Sequence, residues 1–109
     1  MLFLGTSAAD SMPNPFCHCE LCEAARHSPL NARLRSEFLL DNENLVDFGP
    51  DFNAACMAHD VDLSNLRNIY ITHTHEDHLT PSNMGLLETS RTRDRAPVDI
   101  FLSEAAYEV

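Results

Sequence analysis

Apolar and polar positions change period several times along the chain, and each change marks a short element. Leu2-Phe3-Leu4 is an apolar run stopped by Gly5-Thr6-Ser7, which predicts a strand entering a loop. Residues 8–16 contain Pro13 and Pro15 and have no period, so they predict irregular chain. Residues 20–26 have helical spacing. Over residues 33–40 the alternation puts Leu34, Ser36, Phe38 and Leu40 on one face. Asp41-Asn42-Glu43-Asn44 is a turn cluster and residues 45–48 a second strand, so the pair predicts a β-hairpin. Gly49-Pro50 ends it. Residues 51–59 predict a helix with Pro50 near its first turn and with Phe52, Ala55, Cys56 and His59 at helical spacing.

The second half repeats the alternation of strand and helix. Residues 67–72 carry Ile69, Tyr70 and Ile71, a buried-strand pattern. Thr80 reads as an N-cap with Pro81 at the first helical position of a helix reaching about Thr89. Residues 90–96 are charged and loop-like. Residues 98–102 predict a further strand, and Ser103-Glu104-Ala105-Ala106 the start of another helix. A helix start so close to the last residue is the expected mark of a truncation.

Composition sets limits on this picture. At 109 residues and 44% hydrophobic, the chain suits one small domain, residues 1–109, with a core. No apolar run approaches a membrane span. The N-terminus lacks the basic region of a signal peptide, which predicts a cytoplasmic protein. A formal net charge of −10 argues against nucleic acid as a partner of this surface.

Two clusters carry chemistry. Cys17, Cys19 and Cys22 offer three thiolates in one short loop, while Cys56 stands apart. Thiols bunched in this way suit a zinc ion better than a disulfide framework. Zinc wants a fourth ligand; His18, His27 or a residue from elsewhere in the fold are the candidates. His27 also fits a helix-end histidine favoured by the helix dipole, the preferred reading. Cys56 reads as a small core residue and His59 as a helix-end histidine.

The second cluster is Thr72-His73-Thr74-His75-Glu76-Asp77-His78, directly after the buried strand. Side chains two apart in extended chain share a side, so His73 and His75 can reach one ion. Asp77 and His78 lie where the chain turns toward the next helix and can face a second. Imidazole and carboxylate suit Zn²⁺, Mn²⁺ or Fe, and two ions roughly 3.5–4 Å apart clamp a hydroxide nucleophile. In open α/β sheets, ligands gather at the carboxyl ends of strands.

His73-Thr74-His75-Glu76-Asp77-His78 resembles the His-x-His-x-Asp-His signature of the metallo-β-lactamase superfamily. Gly5-Thr6-Ser7 is similar to that family's loop after its first strand. Cys17-x-Cys19-x-x-Cys22 resembles the zinc-binding insertion of the branch that includes the carbon–phosphorus lyase accessory phosphodiesterase. Leu45-Val46-Asp47-Phe48-Gly49-Pro50-Asp51 resembles a strand of the same branch. The resemblance implies an α/β (α+β) fold: the N-terminal half of an αββα sandwich, a mixed sheet with flanking helices. It implies that His73 and His75 hold one metal. Asp77 and His78 would hold the other, with Asp77 also orienting or deprotonating the attacking water. Both ions would be Zn²⁺ or Mn²⁺. Cys17, Cys19 and Cys22 would hold a structural Zn²⁺. Asp47 has two readings: bracing the ligand loop through hydrogen bonds, or capping the helix at Pro50.

The same resemblance implies missing parts. The family's further His and Asp ligands come later in its chains, and no histidine follows His78 here. Asp94 and Asp99 do not sit in a matching context. Half a sandwich also exposes one inner sheet face, so the expectation is an incomplete chain or a homodimer covering that face. The function implied is a metal-dependent hydrolase, acting on a small phosphodiester through a metal-bridged hydroxide, and inactive as the fragment alone. The alternatives are a non-catalytic zinc-binding or assembly module, and a lactone, thioester or tRNA 3′-processing hydrolase of the same superfamily.

Overall fold

The computed structural model describes residues 1–90 and 96–108. Residues 91–95 of the expected charged loop, Asp94 included, lie outside the described residues, as does Val109.

Among the described residues five short strands form one sheet in chain order: β1 (Leu2–Gly5), β2 (Glu37–Leu39), β3 (Asn44–Val46), β4 (Asn68–Tyr70) and β5 (Asp99–Phe101). β1, β2 and β3 pair antiparallel; β3, β4 and β5 pair parallel. The β2–β3 hairpin is the expected one, closed by Asp41, whose carboxylate accepts from Glu43 N and the Asn44 side chain. The helices are α1 (Glu20–His27), α2 (Phe52–Ala58), α3 (Met84–Glu88) and α4 (Glu104–Tyr107). This is a mixed sheet with flanking helices, as the sequence implies.

One register row crosses the whole sheet through Leu2, Leu39, Leu45, Ile69 and Ile100. Leu4, Leu39, Leu45 and Ile69 of this face bury against Phe52 and Ala55 of α2. Leu45 and Ile69 are fully buried, each contributing about 1.5–3 kcal/mol. The adjacent row is Phe3, Phe38, Val46, Tyr70 and Phe101, and successive residues of a strand face opposite sides. It forms an open aromatic face: Phe3 is 55%, Phe101 48% and Tyr70 37% exposed. Tyr70 and Phe101 stack with centroids 5.1 Å apart.

β2 departs from expectation. The alternation puts Leu34, Ser36, Phe38 and Leu40 on one face; the structure buries Glu37 and Leu39 of the other, while Leu40 is exposed. Phe38 instead packs beside Phe3, centroids 5.7 Å apart, on the open face. An acidic residue at a core position hides the register from any reading of polarity. The helix expected from Pro81 to Thr89 is also divided. A single 3₁₀ turn, Pro81–Asn83, precedes α3. Asn83 Nδ2 donates to the carbonyls of Phe48 and Gly49, tying this turn to the chain beyond β3. Thr80 holds the N-cap position without a side-chain cap; its hydroxyl donates to Glu76 O. α4 is capped as expected, Ser103 Oγ accepting from Ala106 N.

Candidate metal centre

The ligand loop begins where β4 ends and lies on the segment that leaves β3. Phe48 N donates to His78 O at 2.8 Å and Thr80 N to Phe48 O at 2.9 Å, extending the parallel pairing past both strands. Gly49 fits under the loop because it has no side chain. A Cβ there would stand 2.3 Å from the Asp77 carbonyl oxygen. The platform thus sits at the carboxyl ends of parallel strands, next to the aromatic row.

Asp47 is the organising residue beneath it. It is 3% exposed and has φ 64°, a left-handed conformation that Asp tolerates better than most residues. Its Oδ1 accepts from Thr72 N at 2.8 Å and from Thr72 Oγ1 at 2.9 Å. Its Oδ2 lies 2.6 Å from His78 Nδ1. Of the two readings of Asp47, the structure shows the brace: α2 has Asp51 at its N-cap position, and Asp47 bonds the ligand loop.

For neutral rings, donor arithmetic assigns the tautomers of His73 and His78. An ionised carboxylate only accepts, so His78 carries its proton on Nδ1. Thr72 has one hydroxyl hydrogen and gives it to Asp47, so at 3.1 Å it accepts from His73 Nδ1. When neutral, both rings therefore present an Nε2 lone pair. The His78 Nε2 is 3.2 Å from Asp77 Oδ2. Two donors about 2.0–2.2 Å from one ion stand ~3.0–3.4 Å apart in tetrahedral or octahedral geometry, so this spacing fits a shared cation. The His73 ring centroid lies 4.0 Å from that of His78 and 4.7 Å from that of His75. The structure thus sets the His73 ring against those of His75 and His78, and His78 against Asp77. A cavity of about 280 Å³, lined by Ala9, Arg35, Pro50, Glu76 and Asp77, opens beside them.

The cysteine loop is tighter. The sulfurs of Cys17, Cys19 and Cys22 all lie within 4.8 Å of one another, and among the described residues no other three potential ligands meet that spacing. Zinc–sulfur bonds of about 2.3 Å in a tetrahedron place sulfurs ~3.8 Å apart, so the triad fits the ion. Cys19 caps α1, and the Cys22 backbone hydrogen bond followed by the Cys17 thiol lowers its pKa. At Cys22 an Asn14 backbone hydrogen bond pulls down, but burial and the neighbouring thiols win and raise it. Arg26 bonds the Asn14 and Cys17 carbonyls and so holds the loop onto the helix. Neither local histidine joins the triad. His18 Nδ1 pairs with Glu23 at 2.7 Å and His27 lies 4.0 Å from the same carboxylate, which leaves His27 the helix-end residue expected. Cys56 packs against the core and His59 ends α2, both as expected.

Sequence reasoning missed three supporting residues. Thr72 and Asn83 have polar side chains whose partners are distant in sequence. Glu37 is 1% exposed, with Oε2 accepting from Gly49 N at 3.3 Å and Oε1 without a partner.

This sheet and platform define the chain as half of a metallo-β-lactamase-fold domain. Comparison with solved structures agrees. A diphosphatase from the PhnP family superposes with a TM-score of 0.79 at 25% identity, covering 98% of this chain and 42% of that one. Zinc-bound PqqB from Methylobacterium extorquens superposes at 0.70 and 22% identity, covering 98% and 38%, and shows the shared fold. The chain spans about two fifths of the length of these structures. No curated protein sequence matches it. The family profile described as Anti-Pycsar protein Apyc1 matches residues 26–108, and the chain belongs to that family. No helix among the described residues is long and apolar enough to cross a membrane.

Proposed function

We propose that this chain carries one side of a divalent-metal site for hydrolysis of a small phosphodiester, cyclic or nucleotide-like. The observation that carries the reading is the convergence of His78 Nε2 and Asp77 Oδ2 at 3.2 Å above the Asp47 brace. His73, His75, Asp77 and His78 are the residues that would hold Zn²⁺ or Mn²⁺. Such ions, when bound, lower the pKa of water toward 7 and draw charge from phosphate oxygens. Asp77 then orients the attacking water and accepts its proton, while Asp47 and Thr72 keep the imidazoles in the ligating tautomer. The branch with the cysteine insertion, and the PhnP-family diphosphatase among the structural relatives, support phosphorus–oxygen chemistry. As a member of the Anti-Pycsar protein Apyc1 family, the chain is proposed to serve an anti-Pycsar protein.

The test has two arms. Titration of the purified protein with Co²⁺ should give a metal equivalent lost in His78→Ala and Asp77→Asn. With Mn²⁺, a polypeptide carrying the complete ligand set should cleave an aryl phosphodiester and lose that activity in Asp77→Asn. Opening of lactones or thioesters without phosphodiester cleavage refutes the substrate class and leaves the fold assignment intact. A second reading, a zinc-binding or assembly module without turnover, is favoured by the tighter cysteine triad. One dialysis-resistant zinc, lost in Cys17→Ser but not in His75→Ala, and no metal at the histidines would establish it. A second copy of the chain is proposed to cover the open aromatic face. Light scattering that finds a monomer at working concentration rejects this.

A further inference from the structure

Glu37 is the buried carboxyl that the proposed chemistry leaves unused. It lies on the face covered by α2, in the same strand as Leu39, and is 1% exposed. The titratable groups facing it are Asp47 and Asp51 from the turn beyond β3 and Cys56 from α2. The nearby guanidinium of Arg35 is engaged by Asp51 at 2.9 Å. Among the described residues Glu37 Oε2 accepts from the Gly49 amide and Oε1 has no partner.

Gly49 links this carboxyl to the ligand loop. Its amide faces Glu37, while its α-carbon lies so close to the Asp77 carbonyl that a methyl group cannot intervene. Asp47 and Asp51 stand on either side of it in the chain. A shift of Gly49 therefore moves the surface on which Asp77 and His78 rest. An ionised Glu37 would set three carboxylates around one largely buried turn, and buried like charges repel strongly. We propose that Glu37 is a positioning residue: held as a neutral acid, it anchors the 47–51 turn beneath Asp77 and His78, and loss of its proton loosens the loop. The inference rests on the metal-site reading for its consequence but not for its geometry. Burial, the dominant cause, raises the Glu37 pKa to about 8, with Asp51 and Asp47 adding to the effect, so the change falls near neutral pH.

The experiment compares wild type, Glu37→Gln and Glu37→Leu in metal-free protein, following the backbone amide resonances of Gly49, Asp77 and His78. In wild type the three should shift together with a midpoint of about 8. Glu37→Gln keeps an acceptor for Gly49 and should lack that transition, while retaining wild-type positions at neutral pH. Glu37→Leu should displace all three resonances and weaken Co²⁺ binding at the histidines by about tenfold or more. Cobalt at the cysteines, distinguished by its thiolate charge-transfer absorption, should be unaffected. The inference is overturned if the Asp77 and His78 resonances of wild type and Glu37→Gln respond to pH identically. It is also overturned if Glu37→Leu leaves Gly49, Asp77 and His78 in place. Should Glu37→Leu fail to fold, the wild-type and Glu37→Gln titrations decide the matter. Cobalt binding only at the cysteines in wild type refutes the metal-site reading, and the metal-free resonances still judge Glu37.

Discussion

Asp47 Oδ2 lies 2.6 Å from His78 Nδ1 across 31 positions of sequence, and this contact selects the ring nitrogen that His78 offers to a cation. An asparagine at 47 tolerates the left-handed backbone but cannot accept from His78 and from Thr72 with two equal oxygens. If its amide nitrogen faces His78, the ring must carry its proton on Nε2. If its oxygen does, a donor faces the Thr72 N–H. Asp47→Asn should therefore lower affinity for Co²⁺ or Zn²⁺ at the platform about 10–100-fold. Competition titration against a chelator measures this, with the cysteine site as the internal control. Equal platform affinities in both proteins would show that Asp47 does not govern the ligands.

Gly49 is required by proximity rather than by an unusual backbone angle, since none of the glycines has positive φ. An added Cβ meets the Asp77 carbonyl, a backbone group that cannot swing aside as a side-chain tip can. Gly49→Ala should destabilise the fold by about 1–3 kcal/mol in urea unfolding. It should weaken platform binding as well, because the displaced group is the ligand loop itself. A variant with unchanged unfolding and metal affinity would contradict the close packing seen here.

Glu37 gives stability a pH dependence of definite sign. Its carboxyl titrates near 4.5 in the unfolded chain and at about 8 in the fold. Between these values the unfolded state has lost a proton that the folded state keeps. Stability therefore falls as pH rises, by up to about 1.4 kcal/mol per pH unit. The contribution is intact below the unfolded value and fully lost above the folded one. Asp41 and Asp62, lowered chiefly by the backbone hydrogen bonds of Glu43 and Ser64, act in the opposite sense at more acid pH. Glu37→Gln should flatten the neutral range of a denaturation-versus-pH curve. Parallel curves for the two proteins would place the Glu37 pKa elsewhere.

The sequence carried the strand and helix order and the two ligand clusters because each is written locally. Ile69-Tyr70-Ile71 has apolar continuity, Asp41 and Asn44 have turn chemistry, and His73 to His78 are near neighbours. What it hid depends on pairing across distance. Which face Phe38 takes is undecided until its register partner is known to be Phe3 and that face to be open. Glu37 carries no local sign of its burial, which shows only when Gly49 is placed against it. Asp47 fits two roles equally until the chain from β4 returns over it. Gly49 gives no local sign of its function, because the atom that excludes a side chain belongs to residue 77.

The cysteine loop offers the sharpest stoichiometric prediction. Three sulfurs within 4.8 Å satisfy most of a tetrahedral site, and Arg26 holds the loop that bears Cys17 against α1. Purified protein should retain one zinc per chain through dialysis, while ions at the histidine platform exchange. Cys17→Ser and Cys22→Ser should each abolish that retained equivalent, since two thiolates hold zinc far less well than three. Cys56→Ser should keep it. The Cys56 thiol packs against the core beside Glu37, and its pKa is raised to about 11, mainly by burial. Zinc measured by atomic emission after dialysis reads all four proteins. Retention of zinc in Cys22→Ser, or its loss in Cys56→Ser, would mean that the ion is held by a different set of residues.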